Sequence, residues 1–392
     1  MFTASQQSLS PRFRALDGWR GICALLVALH HIEVHGWIYW QPLVRNAWLF
    51  VDFFFVLSGF VIAHAYGVKL GDARGIKDFV IRRFGRLYPL HIVVLSGLVA
   101  LELARLLLGQ IHPIAGEHAS FVADRSPFAI LTNLFLVQAM GMHASETWNG
   151  PAWSISCEFY TYLVFAAVCF FTLGRKSRLA VSALLAIAGA IILARFSDYG
   201  MRETFHWAIF RCLYGFFVGV LAYEAWRAGA TRAVRGTPAE ILALVLVAAF
   251  IVVVPGNRAL EYLATPLFGL VVLVFAGDKG LISRLLTLRP AAALGRWSYS
   301  IYMVHTFVLA SLFSGAHVVE VLVHRVWLIH QPDGWAVLDL GSPFANDMLT
   351  LAFLCAVIGL SSLTYRFVER PGQALFARFA APKRPLLAAQ AG

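Results

Sequence analysis

The sequence predicts an all-α, polytopic membrane bundle of about ten transmembrane helices forming a single domain over residues 1–392, and three observations predict it. Of the 392 residues 59% are hydrophobic, against about 45–50% apolar in an ordinary soluble domain. Only 14% are charged and the mean hydropathy is +0.72, too little charge to cover a soluble surface of this size. The apolar residues fall in long blocks, and a helix needs about 20 largely apolar residues to cross the hydrocarbon core.

The blocks follow in order. The first, 17–37, comes after a polar, basic start with no cleavable signal pattern, so it is expected to act as its own anchor. The second, 46–66, contains FVDFFFVLSGF, and the third, 88–109, follows the basic run FVIRRFGRLYPLH. The stretch 127–140 is apolar but only about half long enough to cross, so a re-entrant or interfacial segment is expected there. Then come 151–173, opening with PAWSISCEFY, and 179–195, 203–226, 239–254 and 259–276, each bounded by Arg, Gly or Pro. The span 293–314 opens with GRWSYSIYMVH, and 348–368 closes the set after the longest polar connection, about 315–347. No hydrophilic stretch is long enough for a second, soluble domain.

The charges test this map. With ten crossings and both termini inside, 24 of the 32 Lys and Arg fall on the inner side, including all the lysines. An eleventh crossing at 127–140 would invert every later loop and spoil the asymmetry. The net charge of +11 therefore reads as topology rather than nucleic-acid binding. The five cysteines lie in apolar segments without a CxxC pair and read as small buried hydrophobes. His317, His324 and His330 in the outer connection are spaced seven and six apart, which fits no compact metal-ligand set.

Ionisable groups inside a bilayer are costly and are candidates for function by default. In LDGWRGICALLVALHH, Asp17 reads as an N-cap and Arg20 as a first-turn cation, a position that makes sense where free N–H groups and Arg bind an anion together. His31 lies eleven residues on, on the same face and roughly 16 Å deeper. Asp52 on the antiparallel second span is expected at His31's depth, either orienting the imidazole as a general base requires or pairing helices. Ser58 and Gly59 read as close helix packing. Arg83 and Arg86, three apart, share a face at the boundary and suit phosphates or anionic lipid. Glu158 is expected to pair with Arg211 at comparable depth. Tyr302 and His305, three apart, can meet one cavity, although aromatics placed as Tyr299 and Tyr302 are read more often as helix packing.

Together LDGWRG with His31, FVDFFFVLSGF, RRFGRLYP, PAWSISCEF, GRWSYSIYMVH and VERP at 368–371 resemble, in order, the motifs of the acyltransferase-3 family of membrane O-acyltransferases. The resemblance covers 14–372, with Arg20 and His31 matching the family's Arg-x10-His signature; it departs at Trp19, where Leu is usual, and Cys157, where Val is usual. It implies transfer of an acyl group, commonly acetyl, from acyl-CoA as co-substrate to a hydroxyl of a carbohydrate or other small acceptor, in a bacterial inner membrane, with no bound cofactor or metal. Family acceptors include O-antigen, exopolysaccharide, peptidoglycan, nodulation factors and macrolides. On that reading His31, Asp52 and Glu158 carry the chemistry. Arg20, Arg83 and Arg86 hold acyl-CoA, and Tyr302, His305 and Arg211 face the substrate cavity. Direct transfer and a covalent acyl-enzyme both stay open, although no GxSxG supplies a serine nucleophile. The rival classes are a transporter or flippase with an intramembrane proton relay, which lacks evident inverted repeats, and a noncatalytic receptor or scaffold, which leaves the buried charges without a role.

Overall fold

A computed structural model describes residues 13–380 except 68, 112–118, 233, 324–326 and 331–335. Both chain termini, together with His324 and Asp333, lie outside the described residues. Ten long helices follow one another: α1 (Arg14–His31), α2 (Phe50–Tyr66), α3 (Ala73–Ile111), α4 (Ala152–Phe171), α5 (Arg175–Phe196), α6 (Ala208–Arg227), α7 (Thr237–Val253), α8 (Ala264–Phe275), α9 (Arg289–Val323) and α10 (Pro343–Thr364). Among the described residues eight helices are long and apolar enough to cross a membrane. The shorter α7 and the more polar α1 complete the alternation between two ends. The protein is thus an all-α polytopic membrane protein, its only described strands being Leu328–His330 and Ala336–Leu338. On α5 the most apolar window is only 22% buried, which leaves an outward face of Leu184, Ile187 and Ile191 for lipid.

Contacts at the two ends fix the alternation. At one end Asp278 reaches the start of α1, Arg175 bonds Glu224 at 2.6 Å, and Arg178 bonds the Gly67 carbonyl. At the other, His35 meets Asp339 at 3.2 Å and Arg202 meets Glu261 at 3.6 Å.

Local sequence sets several boundaries. Ser342 followed by Pro343 starts α10, the Ser342 Oγ accepting from Ala345 N at 3.2 Å, and Ser126 followed by Pro127 starts the short helix Pro127–Leu134 in the same way. That helix has 8 residues and turns back. Its tip carbonyls at Leu134, Phe135 and Leu136 accept from Tyr88 (3.0 Å), Tyr160 (3.2 Å) and Ser156 (2.6 Å) on α3 and α4. Irregular backbone is tolerated at membrane depth only when its polar groups are satisfied in this way, so the segment is re-entrant and not an eleventh crossing.

Glycines bring two helix pairs into close contact. A Cβ on Gly21 would overlap the backbone at Leu294 and Gly295, and one on Gly295 would overlap Asp17. Gly59 and Gly219 likewise let α2 and α6 touch backbone to backbone, near Phe216 and Val56. Helices α1 and α9 run parallel and in register: Gly21 faces Gly295, and ten residues further along each helix His31 faces His305.

Four sequence expectations are corrected. The first span stops at His31 rather than 37, so His31 ends its helix. The third helix begins at Ala73 rather than 88, so the face shared by Arg83 and Arg86 belongs to the crossing helix itself. Asp17 is no N-cap; it lies inside α1, 3.4 Å from Arg20. Of the cysteines, Cys355 is exposed on the outside of the bundle while the other four are buried.

Candidate active site

A cavity of about 150 Å³ opens among α1, α2, α3, α4 and α9. Along α2 its lining runs from Val51 to Ile62, roughly 16 Å at 1.5 Å per residue. Arg20, Arg83 and Arg86 border it, with Glu158 and Tyr302.

Each cation is aimed by a different device. Arg20 donates from Nε to Ser298 Oγ at 2.7 Å and from Nη2 to the Gly295 carbonyl at 2.9 Å, which the close α1–α9 contact makes reachable. It sits nearly two turns inside α1. The helix start does not offer free N–H groups to an anion, as the sequence suggested, because Asp278 accepts from Arg14 N and Ala15 N at 3.0 Å each. Burial lifts the Asp278 carboxyl above its ordinary range despite those two bonds. Arg83 donates to Tyr66 Oη at 3.3 Å and lies over that ring at 5.3 Å, while its Nε is buried without a partner. Arg86 is ion-paired with Glu369 and lies 5.3 Å from the Tyr299 ring.

Glu369 escaped the sequence reading except as part of VERP. It is 1% exposed and accepts from Ser300 at 2.8 Å. It ends a π-helical turn, Tyr365–Glu369, between α10 and the helix Arg370–Phe379; such turns often mark functional sites. Ser58 also escaped. It does not merely pack but donates to Glu158 Oε1 at 2.5 Å, and Tyr162, one turn beyond Glu158, donates to the same oxygen at 2.5 Å.

Neither expected partnership of a carboxylate with Arg211 or His31 forms, and of the two readings of Asp52 the structure has the helix-pairing one. Arg211 does not pair with Glu158, and Asp52 does not reach His31. Asp52 and Arg211 pair with each other, Nε and Nη2 donating at 2.9 and 2.8 Å, with the guanidinium between the rings of Trp48 (5.6 Å) and Trp153 (5.2 Å). The reason is steric: the close α2–α6 packing sets Asp52 toward α6, on the side of α2 away from α9. Neither residue borders the cavity.

His31 and His305 come together instead, ring centroids 4.8 Å apart. His31 Nδ1 lies 2.8 Å from the Val27 carbonyl and His305 Nδ1 lies 3.2 Å from the Ile301 carbonyl. A carbonyl accepts only from N–H, so each neutral ring holds its proton on Nδ1 and presents a lone pair on Nε2. His305 is fully buried and its Nε2 has no partner. Tyr302 borders the cavity one turn before His305, its hydroxyl 2.9 Å from Ser154 Oγ and 3.1 Å from the Pro151 carbonyl. Among the described residues no group of three or more His, Cys, Asp or Glu is placed to hold a metal ion. The arrangement is a cationic chamber with a pair of imidazoles beyond its lining, each with a lone pair on Nε2.

A family model described as an acyltransferase domain matches residues 13–366. The chain is 28% identical to the acyltransferase MdmB of Streptomyces mycarofaciens over 96% of this chain and 95% of that protein. It is 32% identical to protein 2 in the picA locus of Rhizobium radiobacter, over 48% of this chain and 95% of the relative. It is 24% identical to the putative peptidoglycan O-acetyltransferase YrhL of Bacillus subtilis, over 91% of this chain and 54% of that one. No solved structure gives a significant match.

Proposed function

Since this chain belongs to the acyltransferase-3 family and is an integral membrane acyltransferase, we propose that it moves an acetyl group from acyl-CoA to a hydroxyl of a carbohydrate or other small acceptor. Family membership replaces the transporter and scaffold readings with an enzyme. The observation that carries the donor assignment is the convergence of Arg20, Arg83 and Arg86 on one cavity. Three guanidinium groups suit the phosphates of a coenzyme A ester, which Arg grips with paired N–H donors. The basic connections around Arg74, Lys77, Arg175, Lys176 and Arg227 gather at that same end, which supports placing it, and both termini, in the cytoplasm of a bacterial inner membrane.

From there the pantetheine arm runs along α2 toward Tyr302. His31 is the candidate base: its Nε2 lone pair takes the proton of the acceptor hydroxyl, whose oxygen bonds the acyl carbon as the carbon–sulfur bond breaks. The proton then passes to the departing thiolate. Asp52 has no part in this step and Glu158 acts from the chamber wall, through Ser58 and Tyr162, on the donor side.

The test is release of CoA thiol by the purified, detergent-solubilised protein given acetyl-CoA and a panel of glycan acceptors. Release that depends on an acceptor and falls about 10²–10⁴-fold in His31→Ala is the expected result. Undiminished release in that variant would remove His31 from the mechanism, and failure of the protein to bind acetyl-CoA would remove the donor assignment.

A further inference from the structure

The donor chamber and the histidine pair are separate spaces. The chamber lining ends at Val51, Phe54, Ser154 and Tyr302, and neither His31 nor His305 borders it. Tyr302 both borders the chamber and is a ring neighbour of His305. Its centroid is 6.0 Å from that of His305 on one side, and Phe54 packs edge-on against it at 5.7 Å. Its hydroxyl is tied to Ser154 and Pro151 at the start of α4. Held from α2, α4 and its own helix, the ring is 6% exposed. On the far side His31 is only half-buried and is the last residue of α1, two positions from the exposed Glu33.

A base that activates an acceptor hydroxyl activates water equally well. With the thioester in line with His31 and no acceptor present, water oxygen would bond the acyl carbon and the carbon–sulfur bond would break. The proton taken by His31 would return to the thiolate, and the products would be a free carboxylic acid and CoA thiol. We propose that Tyr302 is a specificity residue that selects the acceptor over water, its ring keeping the thioester in the chamber until an acceptor occupies the histidine side. This rests on the acyl-CoA reading above and deepens it.

The experiment measures CoA thiol release from acetyl-CoA with no acceptor present, by the full chain in detergent. The wild type should release thiol slowly. Tyr302→Ala should raise that rate at least tenfold, and the double variant Tyr302→Ala/His31→Ala should lose the gain. Phe54→Ala opens the same partition from α2 and should also raise the rate, which keeps the test decisive where Tyr302→Ala does not fold. Tyr302→Phe keeps the ring but loses the bonds to Ser154 and Pro151 that tie it to α4, so its rate should fall between those of the wild type and Tyr302→Ala. A purely structural role would not give a gain that His31→Ala abolishes while labelled acetyl-CoA still binds. Folded Tyr302→Ala or Phe54→Ala protein that binds labelled acetyl-CoA like the wild type yet hydrolyses it no faster would overturn the proposal and leave the donor reading standing. Wild-type protein that does not bind acetyl-CoA would overturn both.

Discussion

Replacing Asp52 with Ala should destabilise this protein strongly rather than remove a catalytic group. Asp52 and Arg211 are 0% and 2% exposed, so the substitution strands a guanidinium in the core. Its remaining polar partners are two backbone carbonyls, those of Glu203 at 3.3 Å and Trp48 at 3.4 Å. Removing one member of a buried pair costs about 3–5 kcal/mol, because the survivor stays charged and unpaired. That is a large share of the roughly 5–15 kcal/mol that stabilises a typical domain. Replacing both, as Asp52→Leu with Arg211→Met, removes the stranded charge and should recover most of the loss. The assay is thermal melting followed by size-exclusion chromatography in one detergent, on the wild type, both single variants and the double. The cycle isolates the pair from its surroundings. Strongly lowered melting in each single variant, and recovery with retained acyl transfer in the double, is the expected pattern. Asp52→Ala that melts like the wild type but has lost transfer would refute the reasoning and return Asp52 to the chemistry.

Two further outcomes are expected. Arg83→Ala removes a charged donor whose Nε is buried without a partner in the chamber. A hydrogen bond to a charged group is worth about 1.5–3 kcal/mol, so KM for acetyl-CoA should rise about 10–100-fold with little change in kcat, and an unchanged KM would remove Arg83 from donor binding. Gly295→Val forces a side chain into the backbone of α1 at Asp17. Overpacking of this kind costs about 1–3 kcal/mol; it should also pull Arg20 away from Ser298, raising KM for acetyl-CoA together with the loss of melting temperature, whereas a variant with wild-type values of both would show that the close crossing is dispensable.

Much of the architecture was legible because hydropathy and charge speak directly to the bilayer. The block lengths and the gathering of lysines toward one end suffice to place the crossings and to make 127–140 a segment that dips and returns. Depth along a helix was legible too, since 1.5 Å per residue separates Arg20 from His31 whatever surrounds them. Azimuth was not. Which side of α2 carries Asp52 depends on Gly59 and Gly219 letting α6 close on it, a fact of two sequences 160 positions apart in the chain. Depth alone made Glu158 and Arg211 look like partners; the rotation of their helices parts them. Glu158 with Tyr162 could have been found, because residues four apart share a helical face. Glu369 with Arg86 carried no local signal at all, since a π turn shifts the phase of the helix by a residue just where the carboxylate emerges.

The parallel seam between α1 and α9 also dictates when this protein becomes an enzyme. Arg20 and His31 leave the ribosome first, while Ser298 and His305 follow about 275 residues later, and Asp278, which closes the start of α1, only slightly earlier. At roughly 5–20 residues per second that is a wait on the order of 15–55 s. Through that interval the first helix sits in the membrane with a cation and an imidazole that have not met their partners. Arg86 waits longer still, for Glu369 beyond the last crossing. A chain stalled or cut anywhere before the ninth crossing therefore holds Arg20 and His31 without the partners on α9 that aim the one and face the other.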